Sequence, residues 1–234
     1  MSKSNGFYRT MYAIFAGAVR FFYNIRVEGS ENEPAEGGFL ICSNHISNAD
    51  VVIVAASFRR QVRFLAKAEL FKIPLLKQLI TALGAFPVDR GRADVGAVKK
   101  TIELLSEGEC VGMYPQGHRQ PGIDPRETRI KNGAAMMIYR ASVPALPVLI
   151  QTKGMRIKPF RRTIVRIGKP VTPGELGMNE GTSAEYARAS ARLFEMVCDM
   201  YDPAAAALPA AAGVLNVTVQ DAIPVNSDEG DANE

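Results

Sequence analysis

The sequence predicts an α/β fold: a three-layer sandwich with a mostly parallel central sheet. Two observations predict it. Short apolar runs ended by polar residues recur between residues 39 and 168, and stretches with helical spacing separate them. A third observation bounds it. The 234 residues are 47% apolar and 22% charged, and at about 150 residues per domain this fits one large domain better than two. Such a chain buries a full core without disulfides or metals.

The elements follow in order. Residues 7–23, FYRTMYAIFAGAVRFFY, are aromatic-rich, and Arg9 and Arg20 bracket ten uncharged residues. A spanning helix needs about 20 apolar residues, and FFYNIR is a poor signal-peptide cleavage site. The expectation is an interfacial helix with rings in the headgroup layer and arginines at lipid phosphates. A core helix packed on the domain is the compatible alternative. An acidic loop with Gly and Pro runs from Glu28 to Gly38. FLICSN (39–44) reads as a buried strand, Asp50 to Phe58 as a helix and VRFLA (62–66) as a strand. Glu69 to Leu83 is an apolar helical stretch holding Pro74, and AFPV (85–88) is extended. Ala93 to Ser106 is amphipathic, with Val95, Val98, Ile102 and Leu105 at spacings of three and four. CVGMYP (110–115) is a strand and Ile130 to Arg140 a helix. VPALPVLI (143–150) and TIVRIG (163–168) are strands, and Ser183 to Tyr201 is the last helix. From Pro203 the chain turns Ala-rich and then acidic, which predicts a disordered tail. The expected organisation is a membrane-interface helix over 1–24, the α/β domain over 25–202 and the tail over 203–234.

Charge is distributed unevenly. Residues 1–170 hold 26 Lys and Arg against 13 Asp and Glu, whereas residues 171–234 hold 2 against 11. A basic body suits phosphorylated metabolites, an anionic membrane surface or nucleic acid. No recognition motif interleaves aromatic and basic residues, which argues against nucleic acid. The three cysteines, Cys42, Cys110 and Cys198, form no C-x-x-C, so a disulfide scaffold and a zinc ribbon are disfavoured and a reducing compartment fits. There is no G-x-S-x-G, no Walker A and no G-x-G-x-x-G after a strand. The chain has two histidines, too few for a zinc catalytic site unless carboxylates or cysteines complete it.

Four constellations carry the chemistry. In SNHISNAD, His45 follows a buried strand and Asp50 falls in the first turn of a helix, where its charge is favoured. A turn of that length folds the carboxylate onto one imidazole nitrogen and leaves the other for proton abstraction. The plain alternative is a loop-bonded His and a helix-capping Asp. GAFPVDRGR puts Arg90 and Arg92 on a Gly-bearing loop, able to clamp a phosphate or to lie solvated. YPQGHR puts Arg119 after a strand, with Pro115 and Gly117 shaping the turn. In KNGAAMMIYRASVPALPVLI, Lys131 and Gly133 open a helix and a strand with two prolines follows; its default is core packing.

These four blocks, in order over residues 20–170, resemble the glycerolipid acyltransferases, specifically the bacterial 1-acylglycerol-3-phosphate acyltransferase group. NHISNAD matches N-H-x-x-x-x-D, AFPVDRGR the block ending in Val-Asp-Arg, YPQGHR the F-P-E-G-T-R block, and VPALPV the proline block. The linking FLAKAELFKIPLLKQLI and RIKNGAAMMI are family-like too. The resemblance implies an acyltransferase domain over 25–202 that makes phosphatidic acid in phospholipid biosynthesis. His45 would take the proton from a free glycerol hydroxyl with Asp50 orienting it, and the alkoxide would attack the thioester of acyl-CoA or acyl carrier protein. Arg90 and Arg119 would hold the acceptor phosphate, with Gln116, Gly117 and Lys67 in the same pocket. No metal or cofactor is implied. The partners would be the acyl donor, a lysophospholipid and the cytoplasmic face of a membrane, held peripherally or monotopically. Gln116 stands where the family has Glu and His118 where it has Thr, which leaves the acceptor open. Two rivals stand beside this reading: an acyl-thioester hydrolase using water, and a non-catalytic lipid-binding protein.

Overall fold

The computed structural model describes residues 6–74, 77, 80–81, 84–88 and 95–204. One seven-stranded sheet organises them. Its strands are β1 (Ile25–Glu28), β2 (Phe39–Ser43), β3 (Val62–Lys67), β4 (Ala85–Val88), β5 (Cys110–Met113), β6 (Ala145–Thr152) and β7 (Thr163–Ile167), in the order β1-β7-β6-β2-β5-β3-β4. Strands β2 to β6 run parallel. Strand β7 is antiparallel to β6 and parallel to β1, so the last two strands on that side run against the rest. The expected mostly parallel sheet is therefore present.

The helices fully within the described residues that cover it are α1 (Gly6–Phe22), α2 (Asp50–Ser57), α3 (Val95–Ser106), α4 (Gly133–Ala141) and α5 (Ser183–Asp199). The alternation of side chains along β2 makes two cores. Leu40 and Cys42 pack with Leu105 of α3, Ile138 of α4 and Leu193 of α5. Phe39 and Ile41 pack on the opposite face with Ile53 and Val54 of α2. Helix α1 lies outside α2, with Ala16 and Val19 buried against Ala56, and the Arg20 guanidinium donates to the Ala56 carbonyl at 2.6 Å. Its other side stays in water: Ile14 is 63% exposed and Phe21 75%. No described helix is long and apolar enough to cross a membrane.

Some expectations need correction. The strand β1 is absent from the sequence reading because it is short, half charged and at the sheet edge. Its Glu28 pairs with Arg166 of the neighbouring β7 at 2.8 Å, a contact no local pattern announces. The face of α3 is shifted: Val95 is 75% exposed, and Ala97, Thr101, Leu104 and Leu105 are buried. The helix expected from Ile130 starts at Gly133, after an irregular turn in which the Lys131 amide donates to the Pro115 carbonyl. The stretch 69–83 opens as a 3-10 turn over Ala68–Lys72, and its later part lies mostly outside the described residues. Pro87 is accommodated because β4 is an edge strand, where a missing amide costs least. The tail expected over 203–234 lies, from residue 205 on, outside the described residues.

All three cysteines are buried and unbridged. Burial pushes the Cys110 thiol up to about 12 and the Cys198 thiol up to about 11. Burial raises Cys42 further still. None is a thiolate near neutrality, so none is prepared to act as a nucleophile.

Candidate functional site

Strands β2, β5 and β6 are neighbours and parallel, so the loops leaving their carboxyl ends meet over one edge of the sheet. His45 lies two residues beyond β2. The residue before it, Asn44, fixes where the loop departs. Its buried amide mimics a peptide group, accepting from the Ile150 amide at 2.7 Å and donating to the Ile150 carbonyl at 2.9 Å. Central β6 thus holds the base of the loop.

From there the chain turns directly into α2, and Asp50 organises the turn. Its Oδ2 accepts from the backbone amides of Ile46 at 2.6 Å and Ser47 at 2.8 Å. The same oxygen meets His45 Nδ1 at 2.7 Å. Asp50 is fully buried and His45 is nearly so. Burial pushes the Asp50 carboxyl up, while the bonds from His45, Ser47 and Ile46 pull it down. A carboxylate accepts only, so Nδ1 carries the proton and Nε2 the lone pair. Among the described residues Nε2 has no hydrogen-bond partner.

The imidazole plane is fixed from one side. Tyr114 stacks on it with centroids 4.2 Å apart and planes 16° apart, and Phe64 stacks behind Tyr114 at 6.2 Å. The stack needs Gly112 beneath it: a Cβ there would meet the Phe64 ring at 2.2 Å. A third support comes from Gln116. Its Oε1 accepts from the His45 amide at 2.6 Å, and its Nε2 donates to Thr128 Oγ at 2.8 Å. The Thr128 hydroxyl then donates to the Pro125 carbonyl at 2.7 Å. The Gln120 amide donates to the His45 carbonyl at 2.7 Å, so the turn after β5 grips the His45 peptide at both ends.

Beside this turn lies a cleft of about 720 Å³, walled by Ile46, Ser47 and Asn48 on one side. His118 and Arg119 come from the turn after β5, and Arg156 and Lys158 from the segment after β6. Gly117 adopts a left-handed φ of 73°, which aims this turn, and a Cβ there would crowd Lys131 at 3.1 Å. A basic cleft next to an oriented imidazole can hold an anionic group while a neighbouring hydroxyl loses its proton.

The structure thus brings His45, Asp50, Gln116, Gly117 and Arg119 to one end of the sheet. Gln116 is only 2% exposed, with both ends of its amide engaged by protein. Lys67 ends β3, but its side chain lies outside the described residues, as do Arg90 and Arg92. Sequence reasoning missed Asn44, Tyr114, Thr128, Arg156 and Lys158. Their partners are remote in the chain, and only the cluster of basic residues over 153–162 carries a local signal.

A strand-turn-helix that presents a carboxylate-oriented His beside a basic cleft is the arrangement of an enzyme that uses general-base chemistry on an anionic substrate. Comparison narrows that class. The family model described as Acyltransferase matches residues 24–151, and the chain belongs to this acyltransferase family. It is 30% identical over 168 residues to a 1-acyl-sn-glycerol-3-phosphate acyltransferase of Bacillus subtilis, covering 69% of this chain and 82% of that one. It is 34% identical over 137 residues to the enzyme of that name in Borreliella burgdorferi, covering 57% of this chain and 54% of the relative. The crystal structure of the 1-acyl-sn-glycerophosphate (LPA) acyltransferase PlsC from Thermotoga maritima superposes with a TM-score of 0.64 at 26% identity, over 82% of this chain and 78% of that one.

Proposed function

We propose that this chain transfers a fatty acyl group from acyl-CoA or acyl carrier protein to the free hydroxyl of 1-acylglycerol-3-phosphate. The observation that carries the reading is the 2.7 Å bond from His45 Nδ1 to buried Asp50, beside a cleft lined with basic side chains. The names of the Bacillus and Thermotoga relatives support the choice of acceptor.

The acceptor hydroxyl gives its proton to His45 Nε2 as its oxygen bonds to the thioester carbonyl carbon. Asp50 stabilises the imidazolium that forms. The C–S bond of the tetrahedral adduct then breaks, and the imidazolium returns the proton to the departing thiolate. No covalent acyl-enzyme is needed, in keeping with the buried cysteines. Arg119 holds the acceptor phosphate, with Arg90 and Lys67 as further members of that pocket. Gln116 and Gly117 act by position: Gln116 fixes the His45 peptide through its amide, and Gly117 shapes the turn that carries Arg119. A neutral amide in place of the family's Glu keeps the acceptor site for the His45 amide and turns the Thr128 contact into a donation. The enzyme works at the cytoplasmic face of a membrane, with the exposed side of α1 in the interface.

A panel of acceptors tests the substrate class. Turnover is expected with 1-acylglycerol-3-phosphate and not with lysophosphatidylcholine, whose choline caps the phosphate. Arg119→Ala is expected to lower kcat/KM for the phosphate acceptor roughly ten- to hundredfold, the loss of one hydrogen bond to a charged partner, with the acyl-CoA KM little changed. Equal turnover of both acceptors, or a raised acyl-CoA KM alone, would contradict this reading.

A further inference from the structure

Between β6 and β7 the chain makes an excursion over residues 153–162, KGMRIKPFRR, with five basic residues and no acidic one. Among the described residues, none of the five is in an ion pair. At its tip Phe160 has a φ of 58°, a strained backbone for a bulky residue without the freedom of glycine. The strain is held by a bond from the Phe160 amide to the Phe22 carbonyl at 2.7 Å. The Phe160 ring meets Phe22 and Phe21 edge-on, at centroid distances of 5.1 and 6.3 Å. Yet Phe160 is 60% exposed, Phe21 75% and Phe22 41%. Three rings are thus gathered from two distant segments and left facing water.

We propose that this excursion is a second membrane-contact element, which with the end of α1 seats the mouth of the cleft on an anionic phospholipid bilayer. The inference rests on the reading above that the enzyme works at a lipid surface, and it adds where the chain touches that surface. Charge complementarity selects the occupant. A ring cluster flanked by unpaired cations matches an interface of acyl chains below and anionic headgroups above. Position supports it as well. Arg156, Ile157 and Lys158 of the same excursion line the cleft with Arg119, so Phe160 stands two residues along the chain from a cleft wall. A lysolipid could then enter headgroup first while its acyl chain stays in the bilayer.

The test is co-sedimentation of the full chain with vesicles of phosphatidylcholine alone or of equal parts phosphatidylcholine and phosphatidylglycerol. Wild type should favour the anionic vesicles, and added salt should weaken the binding. Phe160→Ala should weaken it roughly tenfold, and the pair Arg161→Ala and Arg162→Ala roughly fivefold per charge. Phe160→Gly is the discriminating variant. Glycine suits the left-handed backbone, so its thermal midpoint should hold or rise while vesicle affinity falls. Turnover of detergent-dispersed acceptor should be unchanged in all three. Undiminished vesicle binding in Phe160→Gly would overturn the proposal. Equal binding to neutral vesicles would overturn its electrostatic part. A lipid-free dimer that Phe160→Ala dissociates would make the patch a self-association surface instead. Because binding is read without turnover, failure here is separable from failure of the acyltransferase reading.

Discussion

His45→Ala is expected to abolish acyl transfer while leaving a folded protein, with a fall in kcat of about 10²–10⁴ for loss of a general base. The side chain is small in structural terms. Its ring touches the Tyr114 face and one carboxylate oxygen, while the main-chain bonds at its amide and carbonyl survive the substitution. Asp50 keeps its two backbone donors from Ile46 and Ser47. Circular dichroism and the thermal midpoint should therefore stay near wild type while transfer is lost. Near-normal kcat in a folded His45→Ala protein would remove the imidazole from the mechanism.

Asp50→Asn should fall in the same range, about 10²–10⁴, for a different reason. An amide oxygen can still accept from the two backbone amides, so the turn into α2 can persist. What is lost is the negative charge that balances an imidazolium, because the one oxygen that takes both backbone amides is also the one that meets Nδ1. Stability should move the other way. Burial pushes the Asp50 carboxyl up, meaning that the folded site disfavours its charge. A group raised on folding gives stability that is whole below its unfolded value and is lost as pH rises through the folded one. Removing the charge should thus hold or raise the thermal midpoint at neutral pH. Measuring midpoint and kcat on the same preparation checks both. Retained activity would show that Asp50 is a helix-start residue and no more.

The central strands were legible in the sequence because they are buried on both faces and read as continuous apolar runs, as in FLICS and ALPVLI. The His45–Asp50 pairing was legible because its spacing is local, with strand and helix on either side. The edge strand β1 was not, since its register with β7 depends on residues 138 positions away. Tyr114 reads locally as the end of an apolar run, and its role comes from stacking between Phe64 and His45. The resemblance puts Gln116 in the substrate pocket because it stands where the family's third block has Glu. Its partners, His45 and Thr128, lie 71 and 12 positions away, and no motif encodes them. Arg156 and Lys158 reach the cleft because β6 is parallel to β2 and ends at the same edge of the sheet. That is a property of topology.

Acyl transfer to the lysolipid, and not to water, is tested by counting products. Purified protein is given labelled acyl-CoA with 1-acylglycerol-3-phosphate, and both labelled phosphatidic acid and free thiol are measured, with and without the acceptor. One thiol is expected per phosphatidic acid formed, and thiol release should fall to background when the acceptor is left out. Thiol release that continues without acceptor, with the label appearing as free fatty acid, would contradict this and make water the acyl acceptor.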